Sequence, residues 1–106
     1  MLALPSQTTS LILASLGYLR SHFPGQAIEV RIPPIGAVQC FSGVRHTRGT
    51  PPNVFQTDAQ TWLKLIRGTK SFDELAPLID YSGSEIYRLI EQLPLNEDFF
   101  KSFTEQ

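Results

Sequence analysis

The chain has 106 residues, of which 42% are hydrophobic and 18% are charged, and its formal net charge is −1. This length allows one domain with a modest core, and the composition is typical neither of a disordered chain nor of a membrane protein. A net charge so close to zero provides no global electrostatic attraction to nucleic acid or to an anionic membrane. We therefore expect a single domain over 1–106 that binds no nucleic acid and has no stable membrane insertion.

The N-terminal segment and the cysteine usage indicate a cell compartment. The first basic residue is Arg20, which follows the apolar part of that segment, so the basic start of a secretory signal is missing. The single cysteine, Cys40, cannot form an internal disulfide, which fits a reducing compartment. We expect a cytoplasmic protein.

The first part of the chain predicts one helix followed by strands. Alternating apolar and polar residues over 27–32 predict a half-buried strand, and the apolar segment 35–41 predicts a strand at the centre of a sheet. A short third strand is expected over 54–56, so that the strands lie within 27–57. The helix is expected over 6–22 from apolar residues that repeat at helical spacing: Ile12, Leu16, Leu19 and Phe23.

Cap residues predict where the next helices begin and end. Asp58 is a suitable N-cap for a helix that stops before Gly68. Residues 71–74 read S-F-D-E, which has the form of a capping box and predicts a second, short helix. The segment after the strands is therefore mainly helical.

A short strand over 78–82 and a last helix, begun by Ser84 and ended by Pro94, complete the segment of helices and strand over 58–93. The order of one helix, several strands and then helices favours an α+β fold over a doubly wound sheet. The tail over 94–106 is apolar, and we expect its aromatic residues to be buried within the chain or in a homodimer. These residues are Phe99, Phe100 and Phe103.

Several strings in the middle of the chain resemble a known family. Residues 28–34 read I-E-V-R-I-P-P, residues 36–40 read G-A-V-Q-C, and residues 45–53 read R-H-T-R-G-T-P-P-N. Together they resemble the short sterol-carrier-like domain family of actinobacteria. The resemblance covers most of the chain, from Ala27 to Leu95.

This resemblance implies a sterol-carrier-like α+β fold, with a mostly antiparallel sheet of about five strands and helices packed on one face. In the wider superfamily, a tunnel between sheet and helices accepts fatty acyl chains, sterols or similar apolar molecules. The resemblance also implies kinship with the C-terminal accessory domains of mycothiol-dependent enzymes. A shared fold does not by itself establish a shared ligand.

The loop over 45–53 is the first candidate site. It places Arg45, His46, Arg48 and Asn53 on a proline-stiffened stretch, and arginine forks bind carboxylate or phosphate oxygens in pairs. In the structural interpretation, the same side chains instead hold the loop in shape by bonding backbone carbonyls or nearby carboxylates. The sequence leaves both interpretations open.

Apolar residues near this loop form the second candidate site. They could line the pocket of a small ligand, although ordinary core packing is the commoner role of such residues. The predicted pocket residues are Val38, Phe41, Phe55 and Trp62.

The sequence contains no arrangement typical of an enzyme or of a metal site. Cys40 lies in an apolar strand, where its thiol should stay protonated, so pairing with His46 as a nucleophile and base is not expected. Asp73 and Glu74 are explained by helix capping. The two histidines and one cysteine lack metal-ligand spacing, and we expect no cofactor.

Two functions remain open. The first is a non-catalytic binding domain for a small apolar or amphipathic, lipid-like molecule. The alternative is an accessory or protein-interaction domain, in which side chains fill the core and the basic loop docks a protein partner.

Overall fold

The computed structural model describes residues 6–43 and 53–104. The helices are α1 (Ser6–His22), α2 (Ala59–Arg67), α3 (Phe72–Leu75), α4 (Tyr87–Ile90) and α5 (Glu97–Thr104), with a 3-10 turn at Ala76–Leu78. The strands are β1 (Ile28–Ile32), β2 (Gly36–Cys40), β3 (Asn53–Gln56) and β4 (Asp80–Ser82). Within these ranges, no helix is long and apolar enough to cross a bilayer.

The strands form one mixed sheet in the order β2-β1-β3-β4. β1 pairs antiparallel with β2 and β3 pairs antiparallel with β4, but β1 and β3 are parallel. Cys40 and Asn53 both lie opposite Ile28, so β2 ends and β3 begins at the same end of β1. The described chain thus forms an α+β fold with four strands, which corrects the expected count of about five.

The expectation that the second strand lies at the sheet centre was wrong. In the described part of the chain β2 is at the edge, paired only with β1. Its side chains alternate: Val38 and Cys40 are buried, whereas Ala37 is exposed. The segment reads as apolar on both faces because alanine is apolar, yet its small side chain tolerates exposure.

One face of the sheet packs against the helices to form the core. Ile28, Val30 and Ile32 of β1 have no exposed surface, and they share one hydrophobic cluster with buried residues of α1 and α2. The opposite face is polar, where Arg31 forms an ion pair with Glu29. The hydrogen bond that the Arg31 side chain donates to the Glu29 carboxylate lowers the pKa of Glu29 below its ordinary value, although partial burial opposes the shift.

The predicted caps of the middle helices are confirmed. Asp58 precedes α2, and its Oδ1 accepts a hydrogen bond from the Thr61 N–H at 2.8 Å. Gly68 ends α2 in the left-handed conformation, with φ of 74°. Ser71 and Glu74 form the capping box that begins α3. Residues close in sequence therefore cap these helix ends, and at the end of α2 the Leu95 N–H also donates to the Ile66 carbonyl at 3.0 Å.

The last predicted helix is shorter than expected, and Ser84 does not cap it. α4 begins at Tyr87 and its N-cap is Ile86, without a side-chain hydrogen bond. The Glu85 N–H instead donates to Asn53 Oδ1 at 2.8 Å. A contact between distant segments thus determines the backbone here. The tail then forms α5, where Phe99 is buried against α1, as expected for burial within the chain.

Candidate functional site

Of the predicted loop residues, Arg45, His46 and Arg48 lie outside the described residues, and Asn53 lies within them. Asn53 is 1% exposed, and both ends of its amide are paired. Its Nδ2 donates to the Ala27 carbonyl at 2.9 Å, and its Oδ1 accepts from the Glu85 N–H. These bonds join the chain just before β1 to the chain just before α4, which favours the structural interpretation at this position.

Arg88 binds the chain at Ser42, which precedes the predicted loop in the sequence. Its Nη1 donates to the Ser42 carbonyl at 2.6 Å and to Glu85 Oε1 at 3.2 Å. Its guanidinium carbon also lies 5.0 Å from the centroid of the Phe41 ring, within cation–π range. Phe41, which has a φ of 66°, stacks on Phe23. The segments around Ser42 and Asn53 are therefore both attached to the chain near α4.

The predicted pocket residues do not converge on one described hollow. Phe55 and Trp62 have no exposed surface, and their rings meet edge to face with centroids 5.9 Å apart. Phe41 lies beside Arg88. Val38 borders a shallow depression of about 180 Å³ between α1 and β2. In the described chain, Phe55 and Trp62 are packed as core residues.

A different concave surface lies between α1 and α5, with a volume of about 400 Å³. We call it the α1–α5 groove. Its apolar walls are Ala14, Tyr18, Phe99 and Phe103, and its polar rim is Ser21, His22, Asn96, Asp98 and Ser102.

Aromatic contacts hold the walls of the α1–α5 groove in place. The Tyr18 ring meets Phe99 edge to face, with centroids 5.4 Å apart, and stacks on His22 at 3.9 Å. Asn96 Oδ1 accepts a hydrogen bond from the Phe99 N–H at 3.0 Å at the start of α5. The His22 Nδ1 lies 3.1 Å from the Tyr18 carbonyl oxygen. The groove is therefore shaped by contacts within the chain.

Two other hollows are smaller, and each includes polar groups that already bond within the chain. A hollow of about 340 Å³ beside Gly68 includes Ser71 and Glu74, which are engaged in the capping box. A hollow of about 310 Å³ beside Leu78 includes Asp58, whose carboxylate caps α2. Ser21, His22 and Asn96 of the α1–α5 groove also bond within the chain. The groove is distinguished by its larger volume and by the combination of aromatic rings with exposed polar side chains, an arrangement typical of small-molecule sites.

The sequence reasoning missed this groove because it assigned a single apolar stripe to α1. Ala14, Tyr18 and His22 follow one another at intervals of four residues and form a second stripe on that helix. Phe99 and Phe103 have the same spacing in the tail. These repeats could have indicated two helix faces suited to pack together, although not which helices would meet.

The Cys40 thiol is buried, as its position in an apolar strand predicted. Cys40 has no exposed surface, and burial raises the pKa of its thiol to about 12. A protonated, inaccessible thiol is a poor nucleophile. Within 6–43 and 53–104, no group of three or more His, Cys, Asp or Glu side chains could hold a metal ion.

Comparison with known proteins shows which family the chain belongs to. No curated protein matches the chain. The model of one protein family, described as "Bacterial SCP ortholog", matches residues 6–95, which include every strand of the sheet and α1 to α4. Because this match covers most of the sequence and the fold is the α+β arrangement that the sterol-carrier-like resemblance implied, the chain belongs to the bacterial SCP ortholog family.

Proposed function

We propose that this domain is a non-catalytic binding module for a small amphipathic, lipid-like molecule. The observation that carries the proposal is the α1–α5 groove, with aromatic walls, a polar rim and a volume of about 400 Å³. Ligand pockets typically have volumes of roughly 300–1,000 Å³ and place a few polar groups around an apolar lining. Membership of an SCP-like family supports an apolar ligand and a carrier role.

The walls and the rim suit the two parts of an amphiphile. The half-buried Tyr18 and Phe103 rings offer apolar surface, and covering it stabilises a complex by about 25 cal/mol per Å². Ser102 on the rim is exposed, and its hydroxyl can bond a polar end group; the Ser21 hydroxyl already donates to the Gly17 carbonyl at 3.0 Å and can still accept a hydrogen bond. Because Phe99 is only 6% exposed and already packed on Tyr18, little side-chain freedom is lost when a ligand binds there.

A titration monitored by NMR tests the proposal. We expect 1-octanol to shift the amide signals of Tyr18, His22, Phe99 and Phe103 in the labelled protein. Ser102→Trp places a large ring in the groove and should weaken binding at least about tenfold. Gln60→Trp adds the same ring to an exposed position of α2 and should leave binding unchanged. Shifts centred on Phe55 and Trp62 instead would contradict the assignment to this groove.

Native mass spectrometry of the protein purified from cells provides an independent test. We expect a bound molecule of lipid-like mass on the wild-type protein, which should be absent from Ser102→Trp. The Gln60→Trp variant should retain it. Equal retention by all three proteins would place the ligand elsewhere.

The alternative function, an accessory domain that binds a protein partner, is favoured by one observation. Phe55 and Trp62 are fully buried against each other, so side chains fill the space where the predicted pocket residues of β3 and α2 meet. In this function the groove would bind no amphiphile. The octanol titration therefore separates the two proposals.

A further inference from the structure

The charges around the α1–α5 groove are unequal. Asp98 on its rim is an acidic residue, and no lysine or arginine is among the described residues that line the groove. The nearby basic residues belong to other surfaces: Arg20 of α1 borders the depression beside Val38, and Lys101 of α5 is not a groove residue. A charged head group at the rim therefore meets the Asp98 carboxylate, and the basic side chain in the described lining is the imidazole of His22, which stacks on Tyr18.

The partial charges at the end of α1 and at the start of α5 do not offset the Asp98 carboxylate. α1 ends at His22, so its C-terminal carbonyls direct partial negative charge towards the groove. α5 begins at Glu97 with the opposite polarity, but Glu97 and Asp98 occupy its first turn and Asn96 accepts the Phe99 N–H. The partial charges oppose each other, which leaves the Asp98 carboxylate as the dominant local charge.

The aromatic walls also favour a cationic head group over an anionic one. The faces of aromatic rings carry negative potential and attract organic cations. Tyr18, Phe99 and Phe103 all line the groove that Asp98 borders. Rings combined with a carboxylate make a favourable site for an alkylammonium group, whereas a carboxylate head group would be repelled by Asp98.

We propose, on the basis of the function proposed above, that the α1–α5 groove selects amphiphiles with a cationic head group over those with an anionic one. Asp98, Phe99 and Phe103 come after the matched family segment 6–95, whereas Tyr18 lies within it.

Three probes whose main carbon chain has eight atoms, and whose head groups differ in charge, test the selectivity. Octyltrimethylammonium, 1-octanol and octanoate are titrated separately at neutral pH and low salt, below their micelle concentrations, with amide shifts of the groove residues as the readout. We expect octyltrimethylammonium to bind roughly tenfold more tightly than octanoate, with 1-octanol between them. The ratio should fall as salt is added.

Two matched variants assign the effect to Asp98. Asp98→Asn should bring the affinities for the two charged probes close together. Glu97→Gln removes the same charge from the same helical turn, but Glu97 is not a groove residue, so most of the preference should remain. If both variants reduce the preference equally, the overall field of the protein acts and the assignment to Asp98 is wrong.

The outcomes distinguish this inference from the proposed function. Octanoate binding as tightly as octyltrimethylammonium to the wild-type groove would overturn the selectivity and leave the proposed function standing. Failure of all three probes to shift the groove amides would overturn the proposed function itself.

Discussion

The indole N–H of Trp62 donates a hydrogen bond of 2.8 Å to the Ser15 hydroxyl, and neither residue has any exposed surface. The Ser15 hydroxyl in turn donates a hydrogen bond to the Ile12 carbonyl oxygen at 2.6 Å. This relay joins α2 to α1 in the centre of the core. It satisfies the polar atom of the largest buried side chain, because a buried donor without a partner is costly.

Ser15→Ala should therefore destabilise the domain by about 1–3 kcal/mol, because it leaves the indole N–H buried without an acceptor. Ser10→Ala on the exposed part of the same helix is the control and should change stability by less than about 0.5 kcal/mol. Urea unfolding followed by tryptophan fluorescence measures both. Equal stability of the two variants would mean that the relay contributes nothing.

Asn53→Ala should lower the free energy of unfolding by about 2–3 kcal/mol, because it removes the partners of both the Ala27 carbonyl and the Glu85 N–H. Gln56→Ala, at the half-buried other end of β3, is the matched control and should have a small effect. Chemical denaturation measures the difference. A wild-type stability for Asn53→Ala would reopen a ligand-binding role for this side chain.

Two glycines should respond in opposite directions to replacement by alanine. Gly83 has a φ of 110°, and an added Cβ would collide with the Asn53 side chain, so Gly83→Ala should destabilise by about 1–3 kcal/mol. Gly17 lies inside α1 with nothing within 4 Å of an added Cβ. Gly17→Ala should stabilise by about 0.5–1 kcal/mol. Thermal unfolding monitors both, and a shift of both melting temperatures in the same direction would refute the prediction.

Cys40 should make the domain less stable at alkaline pH. Its folded-state pKa, about 12, lies above the unfolded thiol value of roughly 8.5, so ionisation favours the unfolded chain. The contribution to stability is fully present below the unfolded pKa and is lost as the pH rises towards the folded pKa. Between about pH 8 and 10, stability should fall more steeply in the wild type than in Cys40→Ala.

Thiol labelling checks the burial of Cys40 directly. At about pH 8, a disulfide reagent should react slowly with the native protein and rapidly once urea unfolds it. Fast native labelling would show that the thiol is accessible, and the alkaline effect should then be absent.

Features that depend on neighbouring residues were predicted correctly from the sequence, whereas features that depend on contacts between distant residues were not. The bounds of α1, the caps of α2 and the capping box of α3 were predicted correctly because they depend on residues within a few positions of one another. The short α4 was not, because Asn53, 32 residues away in sequence, bonds the Glu85 amide. The candidate groove was missed because its walls come from opposite ends of the chain.

By itself, the sequence determined the fold class, the family and the local elements, since hydrophobic period, cap residues and the strings over 28–53 are written in consecutive positions. Only the tertiary structure decided that β1 and β3 run parallel, that β2 lies at the sheet edge and that α5 packs on α1. Those features depend on which apolar surfaces, from segments distant in the sequence, pack against each other and so become buried. Burial of apolar area is non-directional, so a pattern shows which residues are buried but not which partner buries them.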